Sequence, residues 1–211
     1  MADRHLAFDP SDLTLVQRYD LLAAGVVPRP IALVGTIGVN GVPNLAPFSF
    51  FVPGGSSPMS LAFSPAIARG GARKDTLRNV IDTGEFVVNL VTREMACGMN
   101  ASSAPLHEDE DEWLLSGFTA LPCDVVRPSR VAESPLSFEC RLFQIIEHGA
   151  EVGAARYVVG EVVRVHCLPE FWNGEGRPET LRAVGRLGTS EYVDLELLER
   201  FSMPRPSRPE S

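Results

Sequence analysis

Two short stretches of this chain carry residue types suited to holding a ligand. Asn44-Leu45-Ala46-Pro47-Phe48-Ser49-Phe50-Phe51 sets small and hydroxyl residues beside aromatic ones, a surface on which a flat ring can lie. Asn44, Ala46 and Ser49 offer side-chain and backbone groups to a polar ring edge, while Phe50 or Phe48 offers an apolar face. Further on, Lys74-Asp75-Thr76 brings an ammonium and a hydroxyl to the start of a predicted helix. Backbone N–H groups lack partners there, so the segment suits a phosphate. Arg73 adds a second cation, and Asp75, itself an anion, is expected to cap the helix. A flat ring that carries a phosphate describes flavin mononucleotide (FMN). The bland alternatives are a capped surface helix with a solvated lysine and a core strand with inward aromatics.

The elements that must position these residues are mostly strands. Ile31 to Ile37 is a compact apolar run that ends near Thr36, a candidate contact for ring or phosphate. Gly38-Val39-Asn40-Gly41 supplies an Asn-Gly turn, which tolerates positive φ at both central positions and so predicts a tight hairpin. Met59 to Phe63 reads as a short strand. Asp75 to Thr83 reads as a helix, with Leu77, Val80 and Ile81 at helical spacing and Gly84 to close it. Glu85 to Val91 returns to strand, and Arg93 to Ser102 is a predicted short helix. Ser137 to Glu147 and Arg156 to Leu168 read as two long strands; beyond Pro169 no regular pattern persists. Residues 1–18 form an N-terminal extension, 19–192 the domain, and 193–211 a C-terminal segment ending in a disordered tail. Many short strands, few helices and no βα alternation predict a mainly β, antiparallel barrel with added helices.

Composition narrows the function classes. The net charge of -8 opposes nonspecific binding to nucleic acid or to an anionic membrane. No apolar run reaches spanning length, and the N-terminus lacks a signal core. Cys97, Cys123, Cys140 and Cys167 are irregularly spaced without a Cys-x-x-Cys, which suits reduced thiols in a cytoplasmic protein. No metal site is expected, and the acidic run Glu108 to Glu112 reads as a solvated helix start or loop. There is no Gly-x-Gly-x-x-Gly after a strand and no Walker A loop, so a nucleotide cofactor must be held in another way.

Pro28-Arg29-Pro30-Ile31-Ala32-Leu33-Val34 leading to Thr36, the Asn44 to Phe51 stretch, and Lys74-Asp75-Thr76 with Asn79 together resemble the flavin reductase-like, FMN-binding split-barrel family. Glu85-Phe86-Val87-Val88-Asn89-Leu90, Ser134-Pro135 with Glu139-Cys140, Gly160-Glu161-Val162 with His166, and Arg186-Leu187-Gly188 with Tyr192 extend the likeness over roughly residues 19 to 192. The resemblance implies a split β-barrel that forms a homodimer, with FMN near the subunit interface. It also implies NADH or NADPH as hydride donor and a small-molecule electron acceptor. The cofactors carry such chemistry, and the protein binds, orients and tunes them.

The candidate cofactor-binding residues are therefore Arg29, Thr36, Asn44, Ala46, Ser49, Phe50, Arg73, Lys74 and Thr76. His166 is the catalytic candidate, placed near the flavin or the nicotinamide; its alternative is a hydrogen-bonded barrel or interface histidine. Gly160, inside the same strand, predicts close approach of another backbone or of ligand. Two features depart from the family pattern. Thr189-Ser190 follows Gly188 where a second glycine is commoner, and the acidic run before Trp113 is dense. The sequence favours an FMN-dependent NAD(P)H oxidoreductase. A flavoenzyme for a specific organic substrate and a flavin-binding protein without turnover remain as alternatives.

Overall fold

A computed structural model describes residues 4–67, 73–106, 111–172, 174, 182–199, 201 and 203. The tail expected to be disordered lies outside these from residue 204 onward. In chain order the elements are α1 (Leu15–Gly25), β1 (Arg29–Pro30), β2 (Ala32–Ile37), β3 (Pro43–Phe48), β4 (Phe51–Ser56) and β5 (Met59–Phe63). Then come α2 (Asp75–Thr83), β6 (Glu85–Leu90), α3 (Ala96–Ala101), α4 (Glu112–Ser116), β7 (Ala120–Leu121) and β8 (Arg130–Val131). The long strands β9 (Leu136–His148) and β10 (Ala155–Cys167) precede β11 (Val184–Leu187) and β12 (Glu191–Asp194). No described helix is long and apolar enough to cross a membrane.

Seven strands form one antiparallel sheet in the order β3-β2-β6-β9-β10-β5-β4. Its two edge strands, β3 and β4, are separated in the chain by Ser49 and Phe50 alone. The sheet must therefore curl until its edges nearly meet, giving the expected split barrel with its seam at Ser49-Phe50. Phe48 from one edge packs on Phe63 from the other side of the seam at 5.1 Å, and Phe63 packs edge-on to Phe86 at 5.5 Å. These rings, with Val34, Val88, Cys140 and Val158, fill the interior. Leu77 and Val80 of α2 join that core.

The continuous apolar run at 31–37 is explained by burial on both faces of β2. Ala32 and Val34 face the barrel interior, whereas Ile31 and Leu33 face a second core with Leu45, Met95, Met99, Trp113 and Val184. Helices α3 and α4 cover that outer face. The chain beyond Pro169 is not irregular throughout: β11 pairs with β1 on one side and β12 on the other, as a separate antiparallel sheet. Helix α1 crosses the boundary drawn between residues 18 and 19, and β12 crosses the one drawn at 192.

Two turns differ from expectation. Asn40 does not adopt positive φ; Gly41 alone does, at 85°, and its N–H donates to the Gly38 carbonyl at 3.0 Å. The connection is thus a five-residue loop, 38–42, with one left-handed glycine, rather than a two-residue turn. At α2 the N-cap position is Lys74, not Asp75, and no side chain caps it; Asp75 instead pairs with Arg78 at 2.7 Å. Gly84 closes that helix at φ 71°, as expected.

Gly160 makes room for a ring rather than for ligand. A Cβ built there would lie 2.3 Å from Phe86 Cζ and 3.3 Å from the Arg141 carbonyl oxygen. Gly160→Ala is expected to destabilise the fold by about 1–3 kcal/mol through overpacking. An unchanged urea midpoint would show that the core can shift to accept the methyl.

Candidate functional site

The seam opens onto three adjoining recesses. The first, of about 390 Å³, has walls from Arg29, Ser49, Phe50, Phe63, Ser64 and Tyr157. The second, of about 700 Å³, lies between α1 and the β9–β10 turn and shares Phe50, Leu22, Ala66 and Gly153 with the first. The third, of about 210 Å³, is lined by Arg73, Lys74, Leu77, Glu147 and Arg156. Ala66 borders all three, so they form one branched groove.

Polar groups at the seam are held by identifiable bonds. Arg29 is buried and donates to the Ala23 carbonyl and, at 2.7 Å, to the Gly188 carbonyl; its Nε reaches Ser49 Oγ at 3.5 Å. The guanidinium lies 5.8 Å from the Phe50 ring centre. Burial lowers its pKa, although Arg29 stays a cation at any ordinary pH. Arg29 thus locks α1, the seam and the β11–β12 turn together. Ser64 follows β5, and its N–H donates to the Phe50 carbonyl at 2.8 Å. Its hydroxyl is buried and has no hydrogen-bond partner among the described residues, yet the residue lines the first recess. A buried hydroxyl without a partner costs free energy, and a ligand edge with polar atoms removes that cost.

The third recess is cationic. Arg73, Lys74 and Arg156 face the single carboxylate of Glu147. Arg156 donates to the Gly149 carbonyl at 2.8 Å and lies 3.4 Å from Glu147. The Lys74 ammonium sits 5.3 Å from the Phe48 ring centre, and partial desolvation of this otherwise exposed side chain pulls its pKa down. The uncapped N-terminus of α2 begins beside it. This donor set fits a phosphate, and the seam recess with its unpartnered Ser64 hydroxyl fits a ring with a polar edge. Arg29, Ser49, Phe50 and Ser64 would hold the ring of FMN, and Arg73, Lys74 and Arg156 its phosphate.

Other candidates fall elsewhere. Thr36, Asn44 and Thr76 are buried in a mutual network: Asn44 Nδ2 donates to Thr36 Oγ1 at 3.2 Å and to Thr76 Oγ1 at 3.0 Å. Asn79 Nδ2 donates to Thr36 Oγ1 at 3.1 Å. These side chains seat the start of α2 on the β2–β3 hairpin and line none of the three recesses. Ala46 packs against the barrel core. Phe48 points inward, so of these two aromatics it is Phe50 that lines the recess. In the acidic run, residues 108–110 lie outside the described residues, while Glu112 is buried rather than solvated and accepts from the Leu45 N–H at 3.4 Å. Burial pushes its pKa up.

His166 lines a separate recess with Arg130, Ser134 and Cys167. Its Nε2 is 2.5 Å from Glu139 Oε1, and Glu139 also accepts from the N–H groups of Asp124, Val125 and Val126 at 2.7–3.0 Å. Within one chain the histidine ties β10 to a buried carboxylate, the geometry of the hydrogen-bonded barrel histidine given as the alternative to a place at the flavin. Cys123, Glu139 and His166 bring one ligand atom each within 4.8 Å of one another. In this group three backbone N–H donors and the His166 ring already hold the carboxylate, and burial, reinforced by Glu139, pushes the Cys123 thiol up to about 12.

Sequence reasoning missed Ser64 and Arg156. The hydroxyl directly after an apolar strand, and an arginine opening a long one, were the available signals. Both gain meaning only from the pairing of β10 with β5, which sets Val158 opposite Phe63.

A family model described as flavin reductase like domain matches residues 24–176. An uncharacterized protein of Halalkalibacterium halodurans is 37% identical over 96% of this chain and 97% of its own. Nitrilotriacetate monooxygenase component B from Bacillus cereus superposes with a TM-score of 0.88 at 31% identity, covering 96% of this chain and 100% of that one. The 2-nitrobenzoate 2-nitroreductase of Pseudomonas fluorescens superposes at 0.82 with 29% identity, covering 96% and 99%. With a curled seven-stranded barrel, a ring-sized recess at its seam and this match over most of its length, the chain belongs to the flavin reductase like domain family, a family of flavin-binding oxidoreductase folds.

Proposed function

We propose that this protein is an FMN-dependent oxidoreductase that takes hydride from NADH or NADPH and passes electrons to a small-molecule acceptor. The observation that carries the reading is a ring-sized recess, bordered by Ser64, whose buried hydroxyl has no partner among the described residues, and joined through Ala66 to the cationic recess. When bound, a flavin supplies the two-electron chemistry. The chain's own part is to anchor the phosphate through Arg73, Lys74 and Arg156 and to orient the ring edge through Ser49 and Ser64. Phe50 and Tyr157 shield its face from water, which strengthens the polar contacts within.

The working unit in this reading is a homodimer in the cytoplasm. Phe143, Ile146 and Tyr157 are exposed together on β9–β10, an apolar surface that a second copy would cover. All four cysteines are free thiols, which suits a reducing compartment. A second reading, reduction of a nitroaromatic or another specific organic substrate, is favoured by the superposition on a nitroreductase.

Anaerobic titration of the FMN-loaded protein with NADH and then NADPH tests the proposal. Flavin bleaching much faster than that of free FMN identifies the donor. Bound flavin that stays oxidised with both nucleotides would leave a flavin-binding protein without this turnover.

Ser64→Ala gives a finer test. It is expected to weaken FMN binding about fivefold to tenfold, from one lost hydrogen bond of about 1 kcal/mol. Thermal stability of the flavin-free protein should hold or rise, because an unsatisfied buried hydroxyl is removed. Lower stability with unchanged FMN affinity would place the hydroxyl in the fold instead of the site.

A further inference from the structure

The second recess, of about 700 Å³, is larger than the ring recess and opens directly onto it across Phe50. It is a built feature rather than a gap between loose segments. Gly153, at φ 83°, has no Cβ, and Leu15 of α1 sits 2.7 Å from where one would be. That close approach seats α1 on the β9–β10 turn. Gly153 N–H donates to the Ile67 carbonyl at 3.0 Å, and Ile67 N–H to the Ala154 carbonyl at 3.2 Å, which fixes the facing wall. Arg29 holds the far end of α1 through the Ala23 carbonyl.

The walls describe the occupant. Tyr19 stands 6.1 Å from Phe50 at an interplanar angle of 34°, and Val16, Ile67 and Val152 continue an apolar surface. Among the described residues of its wall, Arg18 is outnumbered by Asp20 and Glu151, a balance that does not favour a pyrophosphate or another polyanion. The Tyr19 and Thr189 hydroxyls supply donors for a carbonyl oxygen.

We propose that this recess binds the electron acceptor and that the acceptor is a flat, neutral quinone. The redox role rests on the flavin oxidoreductase reading above. In balance, quinone, NAD(P)H and one proton give hydroquinone and NAD(P)+, the pyridine nucleotide being oxidised and both quinone oxygens gaining hydrogen.

The test is calorimetric titration of flavin-free and FMN-loaded protein with 2,3-dimethyl-1,4-naphthoquinone, which has no free quinone position for thiol addition. Val16 is an exposed residue of α1 that borders this recess and not the ring recess. Val16→Trp is expected to fill the space and weaken quinone binding at least about tenfold, with FMN affinity within about twofold. Glu151→Trp, on the opposite wall, should do the same if the first variant folds poorly. Equal quinone affinity in wild type and variants, or no binding to wild type, overturns the proposal. Displacement of the quinone by NADH from FMN-free protein also overturns it, by giving the recess to the nucleotide. Quinone binding that is lost in the variants of a chain with no affinity for FMN would keep the pocket and sink the flavin reading.

Discussion

Replacing Arg73 and Lys74 together by alanine raises the FMN dissociation constant about a hundredfold while leaving riboflavin affinity within about threefold. Each cation offers a charge-assisted contact of about 1.5–3 kcal/mol, and exposure places the pair at the low end of that range. Both side chains are solvent-accessible and outside the core, so the flavin-free protein should unfold at the same denaturant concentration. Riboflavin, which has the ring but no phosphate, separates loss of the anion site from damage to the ring recess. Equal losses for FMN and riboflavin would place the phosphate elsewhere. Thr76→Ala should behave differently, because its hydroxyl accepts from Asn44 inside a buried network. It lowers stability first and FMN affinity only through the seating of α2.

Glu139→Ala is expected to cost about 3–5 kcal/mol of folding stability, a fall in melting temperature of roughly 10 °C for a domain of this size. Glu139 is fully buried, and its removal strands the N–H groups of Asp124, Val125 and Val126 together with His166. Burial pushes its pKa up, but the hydrogen bonds from His166 and from those N–H groups outweigh it and leave the pKa below the ordinary carboxylate value. A depressed folded pKa means that this stabilisation is complete above the unfolded value of about 4.3 and is lost as pH falls through the folded value. Urea midpoints measured across that acid range should decline more steeply in the wild type than in Glu139→Gln. Parallel declines would show that the carboxylate charge does not support the fold. His166→Ala should lower stability without changing the rate of flavin reduction per bound FMN; a large loss of that rate would return the histidine to catalysis.

The parts of this fold that could be read in the sequence are those whose signals are local. α2 combines helical spacing with a closing glycine, and β5, β6, β9 and β10 are apolar runs bounded by turn residues. α1 was missed although Thr14 and Gln17 form a capping box, because only Ala23 of the helix is buried and no apolar stripe marks it. β11 was missed because Gly185, Arg186 and Gly188 break its pattern; pairing with Arg29 and Pro30 of β1, far away in the chain, is what makes it a strand.

The site shows the same division. Lys74, Arg73, Ser49 and Phe50 line the groove, and each stands beside a local feature that a sequence shows, a helix start or a strand end. Thr36, Asn44 and Thr76 were of the right chemical type, but barrel curvature turns them toward one another instead of toward the groove. The Glu139–His166 bond spans 27 residues and depends on the register that sets Glu139 opposite Arg164, two residues from His166. Arg156 reaches the cationic recess only because β9 and β10 form one long hairpin whose turn returns to the seam. Long-range register, not residue type, is what a single sequence leaves open.

The most direct test is a crystal structure of the protein with FMN bound. The phosphate is expected within hydrogen-bond reach of Lys74 and Arg73 at the start of α2, with the ring in the seam recess and a polar ring atom on the Ser64 hydroxyl. A phosphate in the Arg130–His166 recess, or a ring outside the Ser49–Phe50 seam, would contradict the account.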